Sequence, residues 1–177
     1  MTDVELCAFY AAFNSDYFAV QRGDGVVEPS HLNLCALHFL FDDADFCVTV
    51  QVPSQTGNGD QLAAGPVFWA QDYNNYYTFD ITPGGSAAIV RRLKGKWVYV
   101  LDYRPAEGIK TKPGEKNVLR VTTRGNSVTT YINDVKFASV KAQVPDGGGQ
   151  IGLHAESEQA HRDTWKFIGL KVTDLPE

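Results

Sequence analysis

The sequence predicts an all-β fold, a two-sheet antiparallel sandwich, on three observations. Val, Ile, Thr and the aromatic residues number 57 of 177, against 20 for Leu, Met and Glu, a ratio that favours pleated strands over helices. Apolar and polar residues alternate in segment after segment from Phe46 onward, as strands with one buried face require. The breaks between segments are mostly short turns, which force antiparallel neighbours because a parallel pair needs a crossover of about a dozen residues or more.

Taken in order, Thr2 and Glu5 have capping-box spacing, and Leu6, Phe9, Tyr10 and Phe13 recur at helical intervals. Residues 3–13 therefore read as one short amphipathic helix, with a leading strand as the alternative. From Phe46 the period becomes two. Phe46, Val48, Val50 and Val52 alternate with Cys47, Thr49 and Gln51 until Pro53 and the glycine-containing run from Ser54 to Asp60 end the segment. Strands follow at 64–70, 76–82, 87–93 and 97–103, separated by Asp72-Tyr73-Asn74-Asn75, Pro83-Gly84-Gly85 and Lys94-Gly95-Lys96. That run is a meander. Segments 117–124 and 127–133 flank Gly125-Asn126, a tight hairpin turn, and Asn133-Asp134 turns the chain into 135–140. Segments 150–155 and 165–173 complete about eleven or twelve short strands, with no repeat of the length that marks propellers or solenoids.

Length and composition fit one domain over residues 1–177, large enough to bury about 70% of the surface its unfolded chain exposes. Apolar residues at 44% and charged residues at 21% exclude global disorder and low complexity. The net charge of −5, with Lys and Arg thinly spread, argues against nucleic acid as a partner. No apolar run is long enough to span a membrane, and the amino end shows no signal-peptide pattern, which leaves the compartment open. Cys7, Cys35 and Cys47 are an odd number without C-x-x-C spacing; they read as buried thiols, with a Cys35–Cys47 bridge as the alternative. Oligomeric state is not legible.

The stretches Ala64-Gly65-Pro66-Val67-Phe68-Trp69, Asn75-Tyr76-Tyr77-Thr78-Phe79, Arg91 and Gly95-Lys96-Trp97 stand in order along the chain. They are followed by 114–121, 128–133 and Gly149-Gln150-Ile151-Gly152-Leu153. Together they resemble the concanavalin A-like jelly roll of lectins and glucanases, most closely its laminin-G-like domains and the bacterial 3-keto-disaccharide hydrolase domain. The resemblance covers about residues 40–173 and implies a two-sheet jelly roll and a periplasmic or extracellular setting; the chain itself is equally compatible with the cytoplasm. It also implies a sugar-processing hydrolase or lyase acting on a modified disaccharide, or a laminin-G-like interaction or structural module. Because the scaffold hosts many functions, function must come from a site.

Strand parity supplies one. Val98, Val100, Tyr77, Phe79, Ile81, Leu119, Val121, Val128, Ile132, Ile151 and Leu153 are expected to face the core. The opposite parity carries Tyr76, Thr78, Asp80, Trp97, Tyr99, Tyr103, Tyr131, His154 and Glu156, with Arg91 and Trp69 beside them. Aromatic rings among hydrogen-bonding groups suit a sugar, which offers C–H patches to π faces and hydroxyls to polar side chains. The same residues would also suit a plain outer surface or a second core layer. The expected ligand-binding residues are Trp97, Tyr99, Tyr76, Arg91, Asp80, Tyr131 and His154, for a carbohydrate or other small polar ligand in a non-catalytic module. The E-x-D-x-E strand of laminarinase-like enzymes is absent, and Glu156 and Glu158 are its nearest echo as catalytic acids. No cofactor is expected; calcium is the one candidate metal, on Asp43 and Asp45 or on Asp60.

Overall fold

The structure, a computed structural model, describes residues 3–5, 31–34, 40–53, 62–156 and 165–174. They form twelve strands: β1 Asp3–Glu5, β2 His31–Leu34, β3 Ala44–Gln51, β4 Ala63–Asp72, β5 Asn75–Ile81 and β6 Ser86–Leu93. These are followed by β7 Lys96–Pro105, β8 Lys116–Arg124, β9 Ser127–Ile132, β10 Val135–Lys141, β11 Gln150–Glu156 and β12 Lys166–Asp174. No helix occurs among the described residues. The fold is all-β, two antiparallel sheets ordered β1-β12-β3-β8-β9-β10 and β2-β11-β4-β5-β6-β7. Asp3–Glu5 pairs with β12, so the leading-strand alternative holds for those three residues and a helix does not begin at residue 3. The rest of the proposed helix lies outside the described residues.

The core lies between the sheets, where Phe46, Val48 and Val50 of β3 and Leu119 and Val121 of β8 meet Phe68, Tyr77, Phe79 and Ile89 of the facing sheet. β3 buries every second residue, as its alternation predicts. β4, β5 and β11 are buried on both faces, so the far side of the second sheet is not a plain solvated surface. Gly65 of β4 is required there, since a Cβ at that position would lie 1.8 Å from the Phe79 carbonyl oxygen.

Val98 pairs with Arg91, which pairs with Tyr77, so it has the expected parity, yet it is exposed on the edge strand β7. The parity of Trp69 differs from expectation. Trp69 is buried in the core. The register of β4 with β5 shifts between Phe68 and Asp72, and Trp69 takes φ +49°, so the bulge turns the indole inward, where its Nε1 donates to the Asp42 carbonyl at 3.0 Å.

Candidate functional site on the bowed sheet

On a flat sheet β7 and β11 would stand four strand spacings apart, about 19 Å, a gap that two side chains leaning toward each other cannot close. The rings of Trp97 on β7 and His154 on β11 are nevertheless 5.6 Å apart. The sheet is therefore bowed, with these rings on the inside of the bow. Tyr76, from the middle strand β5, sits between them, edge-on to Trp97 at 5.9 Å and 6.3 Å from His154.

The floor of this face is polar and buried. His154 Nδ1 lies 3.2 Å from Asp80 Oδ1, and that same oxygen accepts the Thr78 hydroxyl at 2.5 Å. On the other side of the imidazole, Nε2 is 3.4 Å from Glu156 Oε1; the contact is an ion pair without hydrogen-bond geometry, which leaves Nε2 buried and unbonded. Burial alone would push the imidazole pKa down, but the charge and hydrogen bond of Asp80, joined by Glu156, raise it to about 10. His154 is an imidazolium at neutral pH, held between two carboxylates. Burial raises the phenol pKa values of Tyr76 and Tyr103, with Arg92 pulling Tyr76 the other way and Asp80 and Glu156 adding to the rise at Tyr103. Tyr103 is about one-third exposed as a residue, so the buried part is its phenol end.

The rim is open and apolar. Trp97 is 37% and Tyr99 55% exposed, and Tyr99 meets Tyr103 edge-on at 6.2 Å. Arg92 lies over the Trp97 ring with its guanidinium carbon 4.9 Å from the centroid.

Of the residues predicted from sequence, Trp97, Tyr99, Tyr76, Asp80, His154 and Glu156 share this face, although Tyr76 is only 2% exposed and forms part of the floor rather than a free stacking ring. Arg91 does not belong to it. It sits opposite Tyr77 in the ladder, stacks over that ring at 5.1 Å and donates to Gln143 Oε1. Tyr131 is on β9 of the other sheet, beneath Arg120, because parity fixes which way a side chain points and not which sheet carries it. Glu158 and Asp60 lie outside the described residues. Asp43 accepts the Gly125 amide and Asp45 is paired with Arg120. Cys47 is a free thiol.

Arg92 is the residue that sequence reasoning missed. It pairs with Tyr76 on one side and Trp97 on the other. Placing Thr82 opposite Ser86 across the Pro83-Gly84-Gly85 turn, a pairing made by a backbone bond, already puts 92 opposite 76.

Neither a family profile nor a curated protein sequence matches the chain. Similar solved structures do exist. The carbohydrate-binding module CBM66 of Bacillus subtilis aligns with TM-score 0.67 and 16% identity over 84% of this chain and 85% of the other. Sheep galectin-11 aligns with TM-score 0.56 and 12% identity over 84% and 100%. A Bacillus licheniformis beta-glucanase aligns with TM-score 0.58 and 10% identity over 92% and 95%. The chain shares the two-sheet jelly-roll fold of these structures.

Proposed function

We propose that the chain is a non-catalytic carbohydrate-recognising module that binds its ligand on the inside of the bowed sheet. One observation carries the reading: the half-exposed rings of Trp97 and Tyr99 stand beside a buried floor of hydrogen-bonding groups. A sugar ring stacked on those faces would set its hydroxyls against Tyr103, Glu156 and the Arg92 guanidinium. The similarity to CBM66 and galectin-11 supports this choice over a structural role.

A sugar-processing enzyme is the second reading, favoured by Asp80 and Glu156 flanking one imidazole. Glycoside hydrolysis needs two carboxyl groups at the scissile bond. Asp80 is almost fully buried and bonded to Thr78 and His154, which leaves Glu156 as the one accessible acid of the pair.

A glycan array separates the two readings. The module should give hits that Trp97→Ala weakens by about tenfold or more while the variant still unfolds cooperatively, since an aromatic stack contributes about 0.5–1.5 kcal/mol beyond its buried area. Release of reducing sugar, lost in Glu156→Gln, would favour the enzyme. An array without hits would sink the recognition reading.

A further inference from the structure

Among the described residues four arginines stack on aromatic rings, and three of them also meet a carbonyl or carboxylate oxygen. Arg91 over Tyr77 donates to Gln143 Oε1 at 3.1 Å. Arg104 over Phe137 donates to the Phe137 carbonyl at 3.1 Å, and Arg120 over Tyr131 pairs with Asp45. Arg92 over Trp97 is the exception. Its Nε is buried without an acceptor, and among the described residues no carboxylate forms an ion pair with it. Its guanidinium hydrogen-bonds the Tyr76 phenol, but a neutral phenol is no counter-ion.

A guanidinium partly stripped of water and left without an anion is costly unless a partner restores the balance. The carboxylates of the same face are committed elsewhere, because Asp80 and Glu156 hold the His154 imidazolium. Asp72, at the neighbouring turn, accepts from Asn74 and Asn75. The hairpin leading from Arg92 to Trp97 adds Lys94 and Lys96, both exposed and neither ion-paired among the described residues. The hairpin beside the aromatic rim thus carries three cations, Arg92, Lys94 and Lys96, none of them ion-paired among the described residues.

We propose that the saccharide taken by this face is anionic, carrying a carboxylate or sulfate group that pairs with Arg92 while its ring stacks on Trp97; this rests on the sugar-recognition reading above. A planar guanidinium offers parallel N–H donors that suit such a group. Charge-assisted hydrogen bonds of this kind are worth about ten- to hundred-fold in affinity.

The test is calorimetric titration of the whole chain with three matched oligosaccharides: neutral, uronate-containing and sulfated. The expected result is that at least one anionic sugar binds about tenfold or more tighter than the neutral one, with an affinity that falls from about 50 to about 500 mM salt. Whichever anionic sugar binds tighter identifies the group. Arg92→Gln should reduce it to the neutral level, and Arg92→Lys should keep part of the preference. Equal binding of all three, or a preference that survives Arg92→Gln, overturns the anionic inference and leaves sugar recognition standing. No binding of any sugar overturns both. The wild-type preference and salt dependence decide the matter even if a variant fails to fold.

Discussion

Raising the pH should destabilise this protein in a window set by His154. The imidazolium is favoured in the folded state, where its pKa is about 10 against an ordinary 6.5. A folded pKa above the unfolded one gives stability that is fully present below pH 6.5 and lost as pH rises through about 10. At about 1.36 kcal/mol per pH unit the loss over the whole window is on the order of 5 kcal/mol, or about 10–20 °C of melting temperature for a chain of this size. The Cys47 thiol and the Tyr76 and Tyr103 phenols are also raised by burial, but they act above their ordinary values of 9.0 and 10.0. The interval from 6.5 to 9.0 is thus the diagnostic one. Urea unfolding across that interval measures the slope. The double substitution Asp80→Asn with His154→Gln replaces the charged pair by amides and should flatten it while leaving neutral-pH stability within a few kcal/mol. A flat wild-type profile, or a double variant that keeps the slope, would show that the imidazolium between Asp80 and Glu156 is not the group responsible.

Two further substitutions probe the scaffold. Gly65→Ala places a Cβ 1.8 Å from the Phe79 carbonyl oxygen, where only backbone movement gives relief; a loss of about 3 kcal/mol or more is expected, read as a melting temperature lowered by about 6–12 °C. Asn117 is fully buried and accepts the Lys110 amide at 2.8 Å, donates to the Lys110 carbonyl at 2.9 Å and accepts from Asn133 at 2.9 Å. Asn117→Ala leaves those partners unsatisfied, for an expected loss of about 2–4 kcal/mol in chemical denaturation.

The strands from Ala44 onward were legible because an alternation, or in β4 an apolar run, ends in a turn whose chemistry stops it. β2 was not, since His31-Leu32-Asn33-Leu34 opens into a run rich in Leu and Phe with no sustained period of two. Within the site, parity found Tyr76, Asp80, Trp97 and His154, and then failed where pairing geometry matters. Arg91 and Arg92 differ by one position, and only the ladder shows that 92 lies between Tyr76 and Trp97. Tyr131 has the right parity on the wrong sheet. Trp69 left its expected face because a bulge, invisible in composition, inserted a residue between two correctly read strand ends.

The bow that assembles the site runs along a sheet whose ladders are irregular in three places. The inner face carries Phe68, Tyr77, Phe79, Ile89, Ile151 and Leu153, all in the core. The other face of the same strands mixes the small groups Ala63, Gly65, Val67 and Ala88 with Tyr76, Asp80 and His154 of the site floor. Register shifts of β11 against β4, β4 against β5 and β6 against β7 interrupt the ladder along the bow, and such bulges bend and twist a sheet. Gly65 allows the tightest approach, against β5, directly beside His154 in the register. The bulges and Gly65 carry no binding chemistry of their own, yet they lie along the sheet that brings Trp97 over His154.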